Sequence, residues 1–80
     1  MHDKKVALIT GGARGIGLAS AKALKEDGFA IILADINEEA LAKATDELNP
    51  LSAITCDMGQ PDDVKQLFSQ INEEHGPLSA

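Results

Sequence analysis

A glycine-rich stretch near the amino terminus is the first feature of the sequence with a clear chemical use. Residues 10–17 read Thr-Gly-Gly-Ala-Arg-Gly-Ile-Gly and lie between an apolar run and a helical pattern. Glycine lets a backbone turn tightly beside a phosphate, because no Cβ blocks the approach of the oxygens. A helix that starts there adds N–H groups and a partial positive charge. The stretch predicts an anion-binding turn formed by Gly11, Gly15, Ile16 and Gly17.

Two familiar phosphate-binding patterns do not fit this stretch. No Gly-Lys-Ser/Thr triplet follows it, so hydrolysis of a nucleoside triphosphate is not expected. The spacing G-x-G-x-x-G fails as well, because Ser20 stands where a third glycine would follow Gly15 and Gly17. An ordinary structural turn is the plainer alternative. The apolar run before the turn and the helical pattern after it favour the anion site.

A carboxylate stands where a ribose contact would be expected. Asp35 closes the second apolar run, 35 − 17 = 18 residues after Gly17, and the acid that binds ribose hydroxyls is expected at an offset of about 20. A 2′-phosphate about 4 Å away would be repelled by on the order of 4 kcal/mol per unit charge. The position therefore favours NAD, without excluding NADP. The alternative is a solvated aspartate that ends a strand and starts a turn.

The elements that must position these residues follow from hydrophobic periodicity. Three apolar runs predict strands buried in a parallel sheet: Val6–Ile9, Phe29–Ala34 and Ser52–Cys56. Three helical patterns alternate with them. These run from Ile16 to Gly28, from an Asn37 cap to Asn49, and from Pro61 to Gly76.

Each predicted helix has an expected inward face. The three sets of apolar residues are Ile16, Ala19, Ala23 and Leu24; then Leu41, Ala44 and Leu48; then Val64, Leu67, Phe68 and Ile71. Alternation of strands and helices predicts an α/β fold with right-handed crossovers. We expect one partial Rossmann-type doubly wound domain over residues 1–80, βαβαβα with strand order 3-2-1. The first two helices should cover one face, and the third should cover the other with part of its apolar face exposed.

Composition excludes several classes of partner. The net charge is −6, with 7 Lys and Arg residues scattered among 13 Asp and Glu, so a nucleic-acid interface is not expected. No apolar stretch is long enough to span a membrane. One cysteine and two distant histidines allow no internal disulfide and offer little for a metal site. A reducing, cytoplasmic location is the expectation.

Three landmarks in order resemble the short-chain dehydrogenase/reductase family. They are the pattern Thr-Gly-x-x-x-Gly-Ile-Gly at residues 10–17, the acid Asp35 after the second strand, and Asp57 after the third. The resemblance implies an NAD(P) site in which Asp57 accepts the adenine amino group beside the backbone of Met58. It also implies that Arg14 meets a phosphate, as in NADP-dependent members; a solvent-facing arginine is an equal alternative.

The family's catalytic residues are missing from the chain. Members resemble one another in a Ser, a Tyr-x-x-x-Lys pair and an Asn, and this sequence contains no tyrosine. The family's Asn-Asn-Ala-Gly segment on a fourth strand is absent as well. We expect the amino-terminal part of an oxidoreductase that moves a hydride between a nicotinamide and an alcohol or ketone, inactive as 80 residues.

Two other functions stay open from the sequence. One is a free-standing, non-catalytic nucleotide-binding module. The other is the start of an S-adenosylmethionine-dependent methyltransferase, although its usual G-x-G-x-G does not match the spacing from Gly11 to Gly17. Without a fourth strand, the first strand should be an exposed edge through which the chain self-associates.

Overall fold

The computed structural model describes residues 5–11, 13, 15–76 and 78. Within these ranges three strands alternate with three helices, which confirms the predicted α/β order. The elements are β1 (Val6–Thr10), α1 (Gly15–Glu26), β2 (Ala30–Asp35), α2 (Glu38–Leu48), β3 (Ser52–Thr55) and α3 (Pro61–His75). None of the helices in these ranges combines the length and apolarity needed to span a membrane.

The strands form one parallel sheet with β2 at its centre. Val6 of β1 is in register with Ala30, and Ile32 of β2 is in register with Ser52 of β3. The order β1-β2-β3 is the predicted 3-2-1 order counted from the other edge. Because the strands are parallel, their carboxyl ends meet along one edge of the sheet.

Alternate residues of β2 face two separate cores. Ile31 and Leu33 are buried with residues of α1 and α2, whereas Ile32 and Ala34 are buried with residues of α3. The helices therefore cover the sheet as predicted, two on one face and one on the other. β2 is consequently apolar throughout until Asp35.

The predicted inward face of α1 was wrong for three of its four residues, and only Leu24 packs inward as predicted. Ile16 is 87% exposed and Ala19 and Ala23 are exposed, whereas Ala21 is fully buried with Leu18 and Leu24 packed beside it. Alanines on several sides of α1 make its periodicity ambiguous. The two leucines decide the orientation, because they remove more apolar surface from water than alanines do.

Local capping fixes the helix ends. The Asn37 side chain accepts a hydrogen bond from Ala40 N at 2.9 Å, as predicted for the cap of α2. Asn49 ends that helix in the left-handed conformation, with φ 53°. The Lys25 ammonium donates to the carbonyls of Leu48 and Asn49 and so joins α1 to the end of α2.

The apolar face of α3 is only partly covered. Leu67 and Ile71 are buried against the sheet, Val64 is half-buried, and Phe68 is 45% exposed. Phe68 and Leu78 line a surface cavity of about 280 Å³ together with Ile71. The predicted exposed part of this face is confirmed, and it centres on Phe68.

Leu67 and Phe68 are neighbours that periodicity treats alike, yet the structure separates them. We expect Leu67→Ala to lower the free energy of unfolding by about 2–5 kcal/mol, because it leaves a cavity in the core. Phe68→Ala should cost at most about half as much, since much of its ring is already in water. Urea denaturation followed by circular dichroism measures both. Equal losses in the two variants would contradict the orientation of α3.

Candidate functional site

A cleft of about 590 Å³ opens where the three strands end. The described residues that line it come from the segments that follow β1, β2 and β3. They are Gly11, Gly15, Asp35, Ile36, Cys56, Asp57, Met58 and Gly59. Five of the eight predicted site residues thus share one cavity, including both aspartates.

The glycine turn forms one wall of the cleft with its backbone. Gly11 has φ 63° and Gly15 has φ 54°, a conformation that side-chain-bearing residues rarely adopt. A Cβ added at either position would meet nothing within 4 Å, so these two backbone positions border open space. Gly11 N donates to Ala34 O at 2.7 Å and holds the turn against β2.

Ala13 anchors the middle of the turn. Its side chain is buried with the core on the α1 and α2 side of the sheet. Its backbone N–H donates to Asp35 Oδ2 at 3.4 Å. The sequence analysis gave Ala13 no role. Ala13 is the one small apolar residue with a Cβ between Gly11 and Gly15. This was the signal in the sequence that could have indicated its buried position.

Asp35 is buried rather than solvated, which contradicts that part of the alternative interpretation, although the residue does end β2 and start the following turn. It is 4% exposed at the carboxyl end of the central strand. Its Oδ1 accepts a hydrogen bond from Asn37 N at 3.0 Å, and its Oδ2 accepts from Ala13 N. A buried carboxylate needs such donors to offset the loss of water.

The segment after β3 forms the opposite wall. Asp57 lies two residues beyond the last residue of β3, and its Oδ1 accepts from Gly59 N at 2.9 Å. Its own N–H donates to Asp63 Oδ2 at 3.3 Å, which ties the turn to the first turn of α3. Gly59 and Asp63 had no site role in the sequence analysis. The Asp-x-Gly spacing was a usable signal, because an aspartate commonly accepts from the backbone two residues on.

Cys56 lies at the back of the cleft with a protected thiol. Its backbone N–H donates to Asp35 O at 3.0 Å, which ties the ends of β2 and β3 together. Its side chain is 3% exposed, with Sγ 3.7 Å from Met58 Sδ. Burial raises the pKa of the thiol, and the nearby Asp63 and Asp57 carboxylates raise it further. The thiol is therefore neutral at physiological pH.

Three predicted site residues are not among the described lining residues. Ile16 projects into solvent at the start of α1, and Gly17 is half-buried one residue later. Arg14 lies outside the described residues. Ile36 also lines the cleft, and it contributes a 60% exposed apolar side chain to the rim.

The three helix starts differ in charge. α2 carries Glu38 and Glu39 in its first turn, and α3 carries Asp62 and Asp63, whereas α1 carries no acidic residue there. Acidic side chains neutralise the positive end of a helix dipole. The start of α1, at Gly15 in the cleft wall, keeps that partial charge available to an anion.

Comparison with known sequences identifies the family. The sequence model of the short chain dehydrogenases matches residues 5–80. This chain belongs to the short-chain dehydrogenase family. The match includes the glycine turn and both aspartates of the cleft, and it removes the methyltransferase alternative.

Individual family members align with nearly the whole chain. Versicolorin reductase stcU of Emericella nidulans is 41% identical over 81 residues, which cover 95% of this chain and 31% of that protein. The sex determination protein tasselseed-2 of Zea mays is 37% identical over 75 residues, covering 92% of this chain and 22% of that protein. The crystal structure of gox2181 has a TM-score of 0.88 at 33% identity and covers 96% of this chain and 32% of its own.

The aligned region is a minor part of each relative. This chain spans 31% of versicolorin reductase stcU, 22% of tasselseed-2 and 32% of gox2181. Versicolorin reductase stcU and the acetoacetyl-CoA reductase of Paracoccus denitrificans, which is 36% identical over 75 residues, show that the family contains oxidoreductases. The TM-score of 0.88 with gox2181 confirms that the βαβαβα unit has the fold of this family over the region that the two chains share.

The protected thiol gives a pH prediction. Because the pKa of Cys56 is raised above 9.0 in the folded chain, the folded state holds a proton that the unfolded state releases. This contribution to stability is complete below the unfolded pKa and is lost as the pH rises toward the folded pKa. Between about pH 7 and pH 10, wild type should lose more stability than Cys56→Ala. Urea denaturation at both pH values tests this, and equal losses would contradict it.

Proposed function

We propose that this chain is the cofactor-binding part of an NAD-dependent oxidoreductase, with the dinucleotide held in the cleft. The observation that carries the proposal is the shared cavity of Gly15 and Asp35, which come from different strand ends. Membership of the dehydrogenase family supports it independently. The cleft lies at the carboxyl edge of a parallel sheet, where ligands of open α/β folds bind.

The pyrophosphate would rest on the glycine turn. Gly11 and Gly15 border open space, so phosphate oxygens can approach their backbone closely. The start of α1 has no acidic residue in its first turn and favours a negative charge there. Gly17 and Ile16, in that same turn, would contribute through their backbone N–H groups. Arg14 remains the proposed side-chain ligand for a phosphate.

The adenosine ribose would lie against Asp35. Each carboxylate oxygen accepts one backbone hydrogen bond and retains a second lone pair for a ribose hydroxyl. The same charge opposes a 2′-phosphate, and Ile36 beside it offers no compensating cation. NAD is therefore the proposed cofactor, with NADP a weaker ligand.

The adenine ring would lie between the walls formed by Ile36 and Met58. Both side chains are largely exposed at the rim and offer apolar surface to a planar ring. Asp57 Oδ1 already accepts from Gly59 N and can accept the adenine amino group as well. Met58 follows it in the same turn, where its backbone is available to the ring nitrogens.

When bound, a nicotinamide dinucleotide supplies hydride transfer. The proposed substrates of the whole protein are alcohols and ketones, in keeping with the reductases among its relatives. These 80 residues contain no tyrosine and thus no phenol to exchange the substrate proton. The chain's own part in the reaction would be to bind and orient the adenosine half, without turnover by itself.

We propose a cytoplasmic location for this chain. An NAD-dependent protein with one buried free cysteine fits the reducing cytoplasm.

Among the described strands β1 pairs with β2 alone, and Val6–Thr10 carries no charge or proline. An edge of this composition accepts another strand, so self-association through β1 is proposed.

Alanine at Gly15 tests the phosphate position. A Cβ there would enter the proposed pyrophosphate site, so we expect Gly15→Ala to weaken NAD binding about tenfold or more. Strain at positive φ should also lower stability by about 1 kcal/mol or more. Amide chemical shifts during NAD titration measure binding, and wild-type shifts should concentrate at residues 11–17, 35 and 57.

Gly28→Ala is the matched control for Gly15→Ala. Gly28 also has positive φ, 97°, with nothing within 4 Å of an added Cβ. It follows the far end of α1, about 20 Å from Gly15 at 1.5 Å per helical residue. It should lose stability but retain NAD affinity. Equal affinity losses in the two variants, or wild-type shifts spread away from the cleft, would count against the proposed site.

Asp35→Ala tests cofactor preference. Without the carboxylate the repulsion of a 2′-phosphate disappears, so the ratio of the NADP to the NAD dissociation constant should fall at least about tenfold. Asp46→Ala removes the same charge from an exposed position on α2 and should leave the ratio unchanged. An unaltered ratio in Asp35→Ala would remove Asp35 from cofactor selection.

A further inference from the structure

One carboxylate connects two segments that would contact different parts of a dinucleotide. Asp35 Oδ2 accepts from Ala13 N in the glycine turn, 22 residues away in sequence. Asp35 Oδ1 accepts from Asn37 N at the cap of α2. The side chain is 4% exposed, so water competes little for these donors. The contact to Ala13, at 3.4 Å, is longer than an ordinary N–H···O hydrogen bond, so its strength comes mainly from the negative charge of the acceptor.

The described residues of the glycine turn have few other restraints. Glycine loses more conformational freedom on ordering than any other residue, and Gly11 and Gly15 both adopt positive φ. The described restraints between them are the Gly11 N to Ala34 O bond, the buried methyl group of Ala13, and the Asp35 contact. A turn that is ordered before the ligand arrives avoids that entropic cost during binding.

We infer that Asp35 is a positioning residue for the phosphate turn, in addition to its proposed contact with the ribose. Its carboxylate accepts from Ala13 N and so holds the turn, at Ala13, in the position that receives a phosphate. This role rests on the proposed function, because it assumes that the turn is the phosphate site. In this role the Asp35 side chain affects the binding of the phosphate groups, which it does not touch.

The inference predicts an effect opposite in sign to simple electrostatics. Asp35 is an anion close to the proposed pyrophosphate site, so removing its charge should strengthen the binding of a phosphate ligand. If the carboxylate orders the turn, removing it should weaken that binding. Inorganic pyrophosphate separates these effects, because it has no ribose to contact Asp35. Adenosine provides the complement, because it has a ribose and no phosphate.

The experiment compares wild type, Asp35→Ala, Asp35→Asn and the exposed-charge control Asp46→Ala. We expect the dissociation constant of pyrophosphate to rise about fivefold in Asp35→Ala and to stay at the wild-type value in Asp46→Ala. Asp35→Asn keeps one acceptor oxygen without the charge and should restore part of the affinity. Far-UV circular dichroism establishes that each variant is folded. Unchanged or tighter pyrophosphate binding in folded Asp35→Ala, with only adenosine weakened, would overturn the inference.

Hydrogen exchange without any ligand tests the same contact separately. The amide of Ala13 should exchange about tenfold faster in Asp35→Ala than in wild type, while amides in the interior of β2 keep their protection. If Asp35→Ala does not fold, the same comparison is made with Asp35→Asn. Unchanged exchange at Ala13 would overturn the positioning role. Failure of wild type to bind either pyrophosphate or adenosine would instead contradict the proposed function, and the exchange result would still decide whether Asp35 orders the turn.

Discussion

β2 is buried on both faces, and the position of every other element follows from that burial. Ile31 and Leu33 require α1 and α2 on one side of the sheet, and Ile32 and Ala34 require α3 on the other. Such a strand has no face for a polar side chain until it emerges from the helical layers, which it does at Asp35. The first polar group of the central strand therefore stands at the edge where all three strands end. Burial of apolar surface, the largest favourable term in folding, thus also fixes the location of the cleft.

The cleft depends on backbone groups more than on side chains. Its walls are held by N–H donations to Asp35, Asp57 and Asp63, so three carboxylates fix three turns without any arginine or lysine among the described lining residues. Among the described residues, the partial positive charge available to an anion is that of peptide dipoles, above all those at the start of α1. The two aspartates that line the cavity place negative charge at the ends of β2 and β3, away from the start of α1, so the charge of the cleft differs along its length.

Sequence reasoning succeeded where one pattern determines one outcome. Continuous apolar runs, an Asn cap and the alternation of elements predicted the sheet, its order and the helical layers, and residue spacing brought Asp35, Asp57 and the glycines to one edge. It failed where several packings satisfy the same pattern. The orientation of α1 was wrong because alanines offer nearly equal burial on several sides. Asp63 was missed because its role arises from a backbone donor, Asp57 N, that only the folded turn brings within reach. Ala13 and Gly59 carried local signals that the periodicity and motif patterns did not use.

The order of the strands in the sheet has a consequence for biosynthesis. Each strand pairs with the next one in the chain, and paired residues are separated by 30 − 6 = 24 positions for Val6 and Ala30 and by 52 − 32 = 20 for Ile32 and Ser52. Each of these pairings closes a shorter loop than a pairing between the first and third strands would, so its closure costs less entropy. A ribosome releases these elements in the order in which they pair, so each strand meets a partner that is already present. The unit can assemble vectorially, with the strand ends around the cleft brought together last, when the segment after β3 emerges.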